Sequence, residues 1–284
     1  MRIDLHTHST ASDGTDRPAA LVRAAAEAGL DVVALTDHDT TAGWGEAVEA
    51  LPPGLRLVRG MEMSCTGRGE DGAPVAVHLL AYLFDPHQPV FVAELERLRG
   101  ERVQRIRAMG EAMAADGLPV DVDAVLEEAG PSAGRPHLAR ALVAAGVVPT
   151  VADAFTDLLS PRGRYYVPKA DTPLADAVAM VRSAGGVTVV AHARARARGR
   201  ILALDHIEEL AELGLAGVEA DHPDHDADDV RTMRDLARGL GIVVTGSSDY
   251  HGANKEVRLG RFTTHPAAYE ELLDRATGVE VVVG

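Results

Sequence analysis

The stretch DLHTHSTASDG, residues 4–14, decides how the rest of the chain is interpreted. With the residues before it, its start resembles a short β-strand, RIDLHTH, yet the stretch carries Asp4, His6, His8 and Asp13. His6 and His8 are two residues apart, so on a strand both side chains lie on the same face and can chelate one metal ion. A single pair of this kind is only a weak indication of a metal site.

The remainder of the chain alternates β-rich runs with helical stretches. The helical run RPAALVRAAAEAGL is followed by the strand-like runs DVVALTDHD, LRLVRGMEMSC and APVAVHLLAYL, and later by GVTVVAH, AGVEA and GIVVTGSSDYH. Strands separated by helices indicate a parallel sheet, and several such units in succession favour a barrel or a doubly wound fold. Residues 89–170 instead read as consecutive helices without a strand between them. We therefore expect an α/β domain from residues 1–88 and 171–284, with a helical insertion at 89–170.

Composition limits the possible classes of protein. With 284 residues, 46% of them apolar, the chain can bury a large core, and Cys65 as the only cysteine excludes an internal disulfide and fits a reducing compartment. No apolar run reaches the roughly 20 residues that span a bilayer, and Asp4 lies where a signal peptide would be apolar. We expect a cytoplasmic protein without a membrane partner. The net charge of −15 disfavours binding to long duplex DNA.

Most of the expected strands contain or end in a potential metal ligand. These residues are His6, His8, Asp37, His38, Glu62, His78, His192, Asp249 and His251. The carboxyl ends of parallel barrel strands meet on one face, so these side chains should share one cleft. A mixed histidine and carboxylate set without thiolates suits zinc, manganese or iron. If Asp13, Glu62 and Asp249 are the only anionic ligands of three divalent ions, the site keeps a positive surplus that attracts phosphate.

Six motifs together resemble those of a known family. DLHTHSTASDG, LTDHD, GMEMSC, VHLLAY, VVAH and GSSDYH occur in the order of the PHP (polymerase and histidinol phosphatase) family, and the chain is similar to its small bacterial nucleotide phosphatases. The resemblance implies a distorted (β/α)7 barrel that holds two to three divalent ions of manganese, zinc or iron. It also implies that the helical insertion caps the metal face.

The resemblance assigns roles to individual residues. The first ion would be bound by His6, His8, Glu62 and Asp249, the second by Glu62, His78 and His192, and the third by Asp13, His38 and His251. Asp4 and Asp37 lie beside ligands in the sequence and are expected to orient them through hydrogen bonds. Family members often have proline after the ligand that matches His192, whereas this chain has Ala193.

The substrate is expected to meet cationic residues and one further histidine. Arg135 and His137 at a helix start and the later Lys169 would bind phosphate, since a helix N-terminus with basic side chains forms an anion site. Among the arginines at positions 194, 196, 198 and 200, Arg194 is the favoured catalytic candidate because it is nearest to His192 in sequence. His222 would protonate the leaving group or contact the substrate.

The expected reaction is hydrolysis of a nucleotide phosphomonoester by a metal-activated hydroxide. Nucleoside 3',5'-bisphosphates and 5'-monophosphates are the expected substrates. The alternatives are a 5'-to-3' exoribonuclease that trims short RNA, a histidinol phosphatase, an amidohydrolase-like deaminase and a non-catalytic PHP module. The chain has neither a GxSxG elbow nor a P-loop, which disfavours a serine hydrolase or a P-loop kinase. The identity of the metal, the base preference and the oligomeric state cannot be read from the sequence.

Overall fold

The computed structural model describes residues 1–130 and 133–284, which form two compact units. The first consists of Met1–Glu94 and Asp171–Gly284, and the second is Leu95–Ala170. Each unit has an apolar core of its own. Every strand of the sheet belongs to the first unit.

The first unit is built around a sheet that forms a nearly closed barrel. Its strands are β1 (Ile3–Asp4), β2 (Val32–Leu35), β3 (Arg56–Arg68), β4 (Pro74–Tyr82), β5 (Thr172–Pro173), β6 (Val187–Val190), β7 (Gly217–Asp221), β8 (Val243–Gly246) and β9 (Val282–Val283). Seven of them follow one another in the order β1-β2-β3-β4-β6-β7-β8, while β5 and β9 pair with β3. A bridge between Thr7 and Tyr250 brings the two ends of this path together. The predicted seven-stranded α/β barrel is therefore confirmed.

One strand of this path runs against its neighbours. β4 pairs antiparallel with both β3 and β6, whereas the other neighbouring strands of the path are parallel. The expectation of a parallel sheet is wrong here, because only residues 69–73 join β3 to β4 and a parallel crossover needs a dozen or more residues. Opposite residues of an antiparallel pair share a face. Ser64 lies opposite His78 and Glu62 opposite Leu80, so Glu62 and His78 lie on the same face.

Ten α-helices lie in the described part of the chain. They are α1 (Pro18–Glu27), α2 (Trp44–Glu49), α3 (Pro89–Ala115), α4 (Val122–Ala129), α5 (Arg135–Ala144), α6 (Val151–Asp157), α7 (Leu174–Ser183), α8 (Leu204–Glu212), α9 (Ala227–Leu240) and α10 (Pro266–Arg275). Their ends follow from the sequence. Pro18 begins α1, where its missing N–H costs no hydrogen bond, and Asp226 caps α9 by accepting from two backbone N–H groups.

The second unit contains most of α3 and all of α4, α5 and α6. Its core includes Ile106, Met109 and Met113 of α3 together with Leu138 and Leu142 of α5. This packing allows a helical segment without strands to form a compact unit of its own. In the described residues, no helix is both long and apolar enough to cross a membrane.

Candidate metal centre

Glu62 in β3 lies at the centre of a group of histidines. Its Oε2 atom is 3.2 Å from Nε2 of His6, 3.1 Å from Nε2 of His8 and 3.1 Å from Nδ1 of His38. Its Oε1 atom is 2.7 Å from Nδ1 of His78 and 3.0 Å from Nε2 of His192. One buried carboxylate thus faces five histidines that come from different parts of the barrel.

Asp249 supplies a second carboxylate to the same histidines. Its Oδ1 atom lies 3.4 Å from Nε2 of His6 and 3.4 Å from Nε2 of His8. Asp249 has a φ angle of 51° and His192 one of 28°, both outside the usual range for residues with a Cβ atom. Such backbone conformations are enriched at functional sites. The two ligand candidates are thus placed by strained turns that directly follow β6 and β8.

Asp13 is the third carboxylate of the site, and it lies close to His38 and His251. Asp13 Oδ1 lies 3.3 Å from Nε2 of His251, and Asp13 Oδ2 lies 3.7 Å from Nε2 of His38. Across the described residues, four groups have ligand atoms within 4.8 Å of one another. They are His8, Asp13, His38 and His251; His6, Glu62 and His192; His6, His222 and Asp249; and His38, Glu62 and His78. All nine side chains that the sequence predicted as ligands fall in these groups, although their assignment to individual ions stays a prediction.

The two central carboxylates of the cluster, Glu62 and Asp249, stay ionised although both are buried. Burial raises the pKa of Glu62, but His78, His6 and His38 outweigh it, so its pKa lies well below the usual range. For Asp249, burial is likewise outweighed, with Lys255 as the strongest neighbour, and the pKa is again well below normal. Both carboxylates therefore carry the negative charge that a cation site needs.

The pKa values of two histidines in the cluster, His8 and His251, are shifted in opposite directions. Burial lowers the pKa of His8, but hydrogen bonds to Asp249 and Glu62 outweigh it and raise the pKa to about 9. Burial and the nearby Lys255 lower the pKa of His251 to about 4. Metal ions bind neutral imidazole, so an ion at His8 has to displace a proton, whereas His251 is already neutral at pH 7.

The donor set fits divalent metal ions. Nδ1 of His38 and Nδ1 of His78 are buried and have no well-directed hydrogen bond in the described part of the structure, although each lies close to Glu62. The Nε2 atoms of His6 and His8 also approach each other to 3.1 Å. Buried nitrogen and oxygen atoms that face one another without directed hydrogen bonds are the arrangement expected around a cation, and these donor types suit zinc, manganese or iron.

Asp4 and Asp37 hold the loops that carry the ligands. Asp37 accepts hydrogen bonds from the backbone N–H and the hydroxyl of Ser9 and from the hydroxyl of Ser12. Asp4 accepts from the backbone N–H groups of Ser248 and Gly260. Neither aspartate belongs to any of the four ligand groups in the described residues. The orienting role that the sequence predicts for the two aspartates stays a prediction, which these contacts favour.

His222 is buried beside Asp249, and its tautomer can be assigned. Its Nδ1 atom accepts a hydrogen bond from the backbone N–H of Asp224 over 3.0 Å. In the neutral ring the proton must then reside on Nε2, which lies 3.3 Å from Oδ2 of Asp249. A nitrogen that carries a proton cannot ligate a metal ion, so His222 presents a proton donor to the cluster.

Comparison with known proteins agrees with this geometry. The sequence profile of the PHP domain matches residues 4–109. A 3',5'-nucleoside bisphosphate phosphatase from Chromobacterium violaceum is 33% identical over 253 residues, which are 88% of this chain and 87% of the relative. The chain belongs to the PHP family. It is a hydrolase that acts on phosphoester bonds.

Two further relatives of the PHP chain bear on its chemistry. A 5'-3' exoribonuclease from Haemophilus influenzae is 33% identical over 192 residues, covering 67% of this chain and 68% of the relative. A solved structure from Bifidobacterium adolescentis, described as a candidate metal-dependent phosphoesterase, superposes with a TM-score of 0.89 at 38% identity. That comparison covers 98% of this chain and 96% of the other.

The arginine run after His192 in the PHP chain is arranged differently from what sequence distance suggests. The guanidinium of Arg194 forms ion pairs with Glu70 and Asp229. Arg198 instead lies 3.1 Å from Nε2 of His192 and 2.8 Å from Oδ2 of Asp249. Arg198 is the last residue of the short 3-10 helix Arg196–Arg198, whereas Arg194 precedes that helix. The ligand cluster is thus contacted by Arg198, and the proposed catalytic role of Arg194 stays a prediction that these ion pairs do not favour.

Arg135, His137 and Lys169 of the PHP chain belong to the second unit. Arg135 donates to the backbone carbonyl of Leu159 over 3.0 Å and lies over the ring of Phe155. Nδ1 of His137 accepts from the backbone N–H of Gly134 at the start of α5. Lys169 is half-buried in the segment that follows α6. Their role in phosphate binding remains a prediction.

Three charged residues near the centre were not selected from the sequence. Lys255 lies 2.5 Å from Oδ2 of Asp249, Arg198 contacts the same oxygen, and Glu219 in β7 is fully buried beside His6. Lys255 lies in a loop and Arg198 at the end of a three-residue 3-10 helix, and in such short irregular segments the spacing of residues does not predict contacts. Glu219 could have been detected, because a single acidic residue within the apolar strand AGVEA is unusual unless the residue has a partner.

Proposed function

We propose that the PHP chain hydrolyses phosphomonoesters of nucleotides, with nucleoside 3',5'-bisphosphates or 5'-monophosphates as substrates. The observation that supports this proposal is the convergence of Glu62, Asp249 and Asp13 with six histidines in one buried cluster, next to a histidine whose Nε2 carries a proton. The relative from Chromobacterium violaceum is named a 3',5'-nucleoside bisphosphate phosphatase, and it aligns with most of the chain.

The nine predicted ligands in these groups, without His222, would hold two to three divalent ions. When bound, these ions activate water as the nucleophile and neutralise the oxygens of the phosphate. The side chains of the protein fix the ions in place. Glu62 serves two groups at once, because its two oxygens face different histidines. No side chain has to act as a covalent nucleophile, and Cys65 is buried within β3.

His222 would act as the general acid. An alkoxide leaving group, such as a ribose oxygen, needs a proton as its bond to phosphorus breaks, and Nε2 of His222 carries one toward the cluster. The ring is held for this role from its other side by the backbone of Asp224. Arg198 would bind an oxygen of the phosphate, since its guanidinium already contacts two ligand candidates.

The second unit would contribute to substrate binding. In this proposal it caps the metal face, and Arg135, His137 and Lys169 bind the phosphate that is not cleaved. The start of α5 carries two of these residues, and a helix N-terminus favours anions.

A 5'-to-3' exoribonuclease is the second candidate. The relative from Haemophilus influenzae, which is named a 5'-3' exoribonuclease, favours this alternative. A cluster of this kind can cleave a phosphodiester as well as a monoester, because the leaving group in both reactions is a ribose oxygen. The length of nucleic acid that the enzyme accepts would then depend on the space around the metal cluster and not on the residues that bind the metal ions.

A screen for product release tests these assignments. Purified protein with Mn²⁺ is incubated with nucleoside 5'-monophosphates, with 3',5'-bisphosphates and with 5'-phosphorylated oligoribonucleotides. Release of inorganic phosphate fastest from the bisphosphate is the expected result, while release of mononucleotides from the oligomers would favour the exoribonuclease. Release of ammonia from nucleotides, without phosphate, would identify a deaminase. A metal-loaded protein that is inactive on all three substrates would contradict the proposal.

A further inference from the structure

Glu219 is a fully buried carboxylate in β7 toward which three donors converge. Its Oε1 atom lies 3.4 Å from Nδ1 of His6 and accepts from the hydroxyl of Ser247. Its Oε2 atom accepts from the backbone N–H of His192 over 3.0 Å. These donors come from the segments that follow β1, β6 and β8, so one side chain connects three ligand-bearing turns of the barrel.

The contact with His6 determines which nitrogen of the ring can bind a metal ion. A carboxylate can only accept, so in the neutral ring that a metal ion binds it holds the proton on Nδ1 and leaves the lone pair on Nε2. That Nε2 atom lies 3.2 Å from Oε2 of Glu62 and 3.4 Å from Oδ1 of Asp249, at the centre of the cluster. Without Glu219, the ring could carry its proton on Nε2 instead and would then be unable to ligate.

The contact with His192 acts on the backbone. His192 has a φ angle of 28°, which a residue with a Cβ atom adopts only when its surroundings impose it. The hydrogen bond from its N–H to Oε2 of Glu219 is one such constraint. It orients the turn so that Nε2 of His192 lies 3.0 Å from Oε1 of Glu62.

We propose that Glu219 is a positioning residue that fixes the tautomer of His6 and the backbone of His192, and thereby sets the affinity of the centre for its metal ions. The proposal rests on the metal centre but not on the identity of the substrate. Glu219 itself belongs to none of the four ligand groups in the part of the chain that the structure describes. It acts through residues that do.

An amide cannot replace this carboxylate. Donors approach both oxygens of Glu219, so a glutamine must direct its NH₂ group toward one of them. If the NH₂ group faces His192, a hydrogen bond to the strained turn is lost. If it faces His6, the ring has to accept and its proton moves to Nε2, the wrong nitrogen for ligation. Glu219→Gln therefore changes the site while preserving the size of the side chain.

The affinity for Mn²⁺ alone provides the test, so the result does not depend on finding the substrate. Dissociation constants are measured for the full chain by competition with a chromogenic chelator. The hydrogen bond that Nδ1–H of His6 donates to Glu219 is read from the ¹H and ¹⁵N chemical shifts of that group in protein loaded with diamagnetic Zn²⁺. Leu210→Ala is the matched control, because Leu210 is fully buried in α8 and carries no ligand atom, so the change lowers stability without altering the centre.

We expect Glu219→Gln to weaken Mn²⁺ binding by about 10- to 100-fold, the usual effect of removing a group that orients a metal ligand. The Nδ1–H signal of His6 in Zn²⁺-loaded protein should shift away from its wild-type position in this variant, while Leu210→Ala lowers the melting temperature and keeps the affinity for Mn²⁺. Wild-type affinity in Glu219→Gln would overturn the proposal.

Glu219→Asp is the second test variant, and it is measured in the same way if Glu219→Gln does not fold. The shorter side chain keeps the charge but withdraws it from Nδ1 of His6, so weaker Mn²⁺ binding and a shifted Nδ1–H signal of His6 are expected. Unchanged affinity in this variant would overturn the proposal as well. Loss of nucleotide hydrolysis with unchanged Mn²⁺ affinity would also contradict it, because the defect would then lie in a later step.

Discussion

The backbone N–H of Asp224 donates to Nδ1 of His222 over 3.0 Å and so assigns the ring proton to Nε2. With its proton on Nε2, His222 can act as a general acid but cannot bind a metal ion through that nitrogen. The informative substitution is His222→Asn, since the Asn oxygen can still accept from Asp224 but no proton donor remains at the position of Nε2. We expect the turnover of nucleotide substrates to fall by about 10²- to 10⁴-fold, the usual contribution of a general acid.

The leaving group provides the check on this prediction. 4-Nitrophenolate departs without a proton, so hydrolysis of 4-nitrophenyl phosphate by His222→Asn should stay within a few fold of wild type. The two substrates are compared by steady-state kinetics at saturating Mn²⁺. An equal loss on both would show that His222 does not act as the acid, and a lower metal content would point to ligation.

The sequence predicts the parts of the site that repeat with strand spacing or occur in motifs. His6 and His8 can be assigned to one face because strand residues alternate, and Glu62 and His78 come together even though β4 runs antiparallel. Loop contacts are harder to anticipate. Arg198 is farther than Arg194 from His192 in sequence, yet it is Arg198 whose guanidinium contacts His192, because the chain turns through a 3-10 helix that ends at Arg198.

Glu219 illustrates a different limit. A buried acid in a strand signals a partner, but three partners from three separate turns depend on the closure of the barrel, which the local pattern of the strand does not contain. The direction of β4 follows from the short connection after β3, and that length can be read from the sequence once the strand ends are known. The placement of the second unit over the metal face stays a prediction.

Substitution of the arginines discriminates between the assignment from sequence and the one from structure. Arg198→Ala should raise the KM for nucleotide substrates about tenfold or more, because its guanidinium lies at Asp249 and His192, where the substrate phosphate is proposed to bind. Arg194→Ala should chiefly lower the melting temperature, since Arg194 is buried and paired with Glu70 and Asp229.

Arg200→Ala serves as the control within the same run. Arg200 is exposed and pairs with Asp71, so both KM and the melting temperature should remain near wild type. KM values and thermal melts of the three variants are measured in parallel at fixed Mn²⁺. A larger increase in KM for Arg194→Ala than for Arg198→Ala would restore the prediction made from sequence distance.

Removal of the metal ions should destabilise the barrel. Ions that bind only the folded state add about 2.7 kcal/mol at a concentration 100 times their Kd, which corresponds to a rise of several degrees in Tm. We expect EDTA-treated protein to melt at a lower temperature than protein supplied with Mn²⁺. Asp249→Ala should reduce this difference, because Asp249 faces both His6 and His8. Identical melting temperatures with and without Mn²⁺ would contradict the metal centre.

Substitution of Asp13 tests how many metal ions each chain binds. Within the four ligand groups it occurs only with His8, His38 and His251, whereas Glu62 occurs in two groups. Asp13→Asn should therefore reduce the bound Mn²⁺ by one equivalent per chain, as measured by inductively coupled plasma mass spectrometry after gel filtration. His87→Ala is the control, because His87 is exposed and lies in none of the groups found in the described residues. An unchanged metal content in Asp13→Asn would mean that the ions bind only around Glu62 and Asp249, as expected for a binuclear amidohydrolase-like centre.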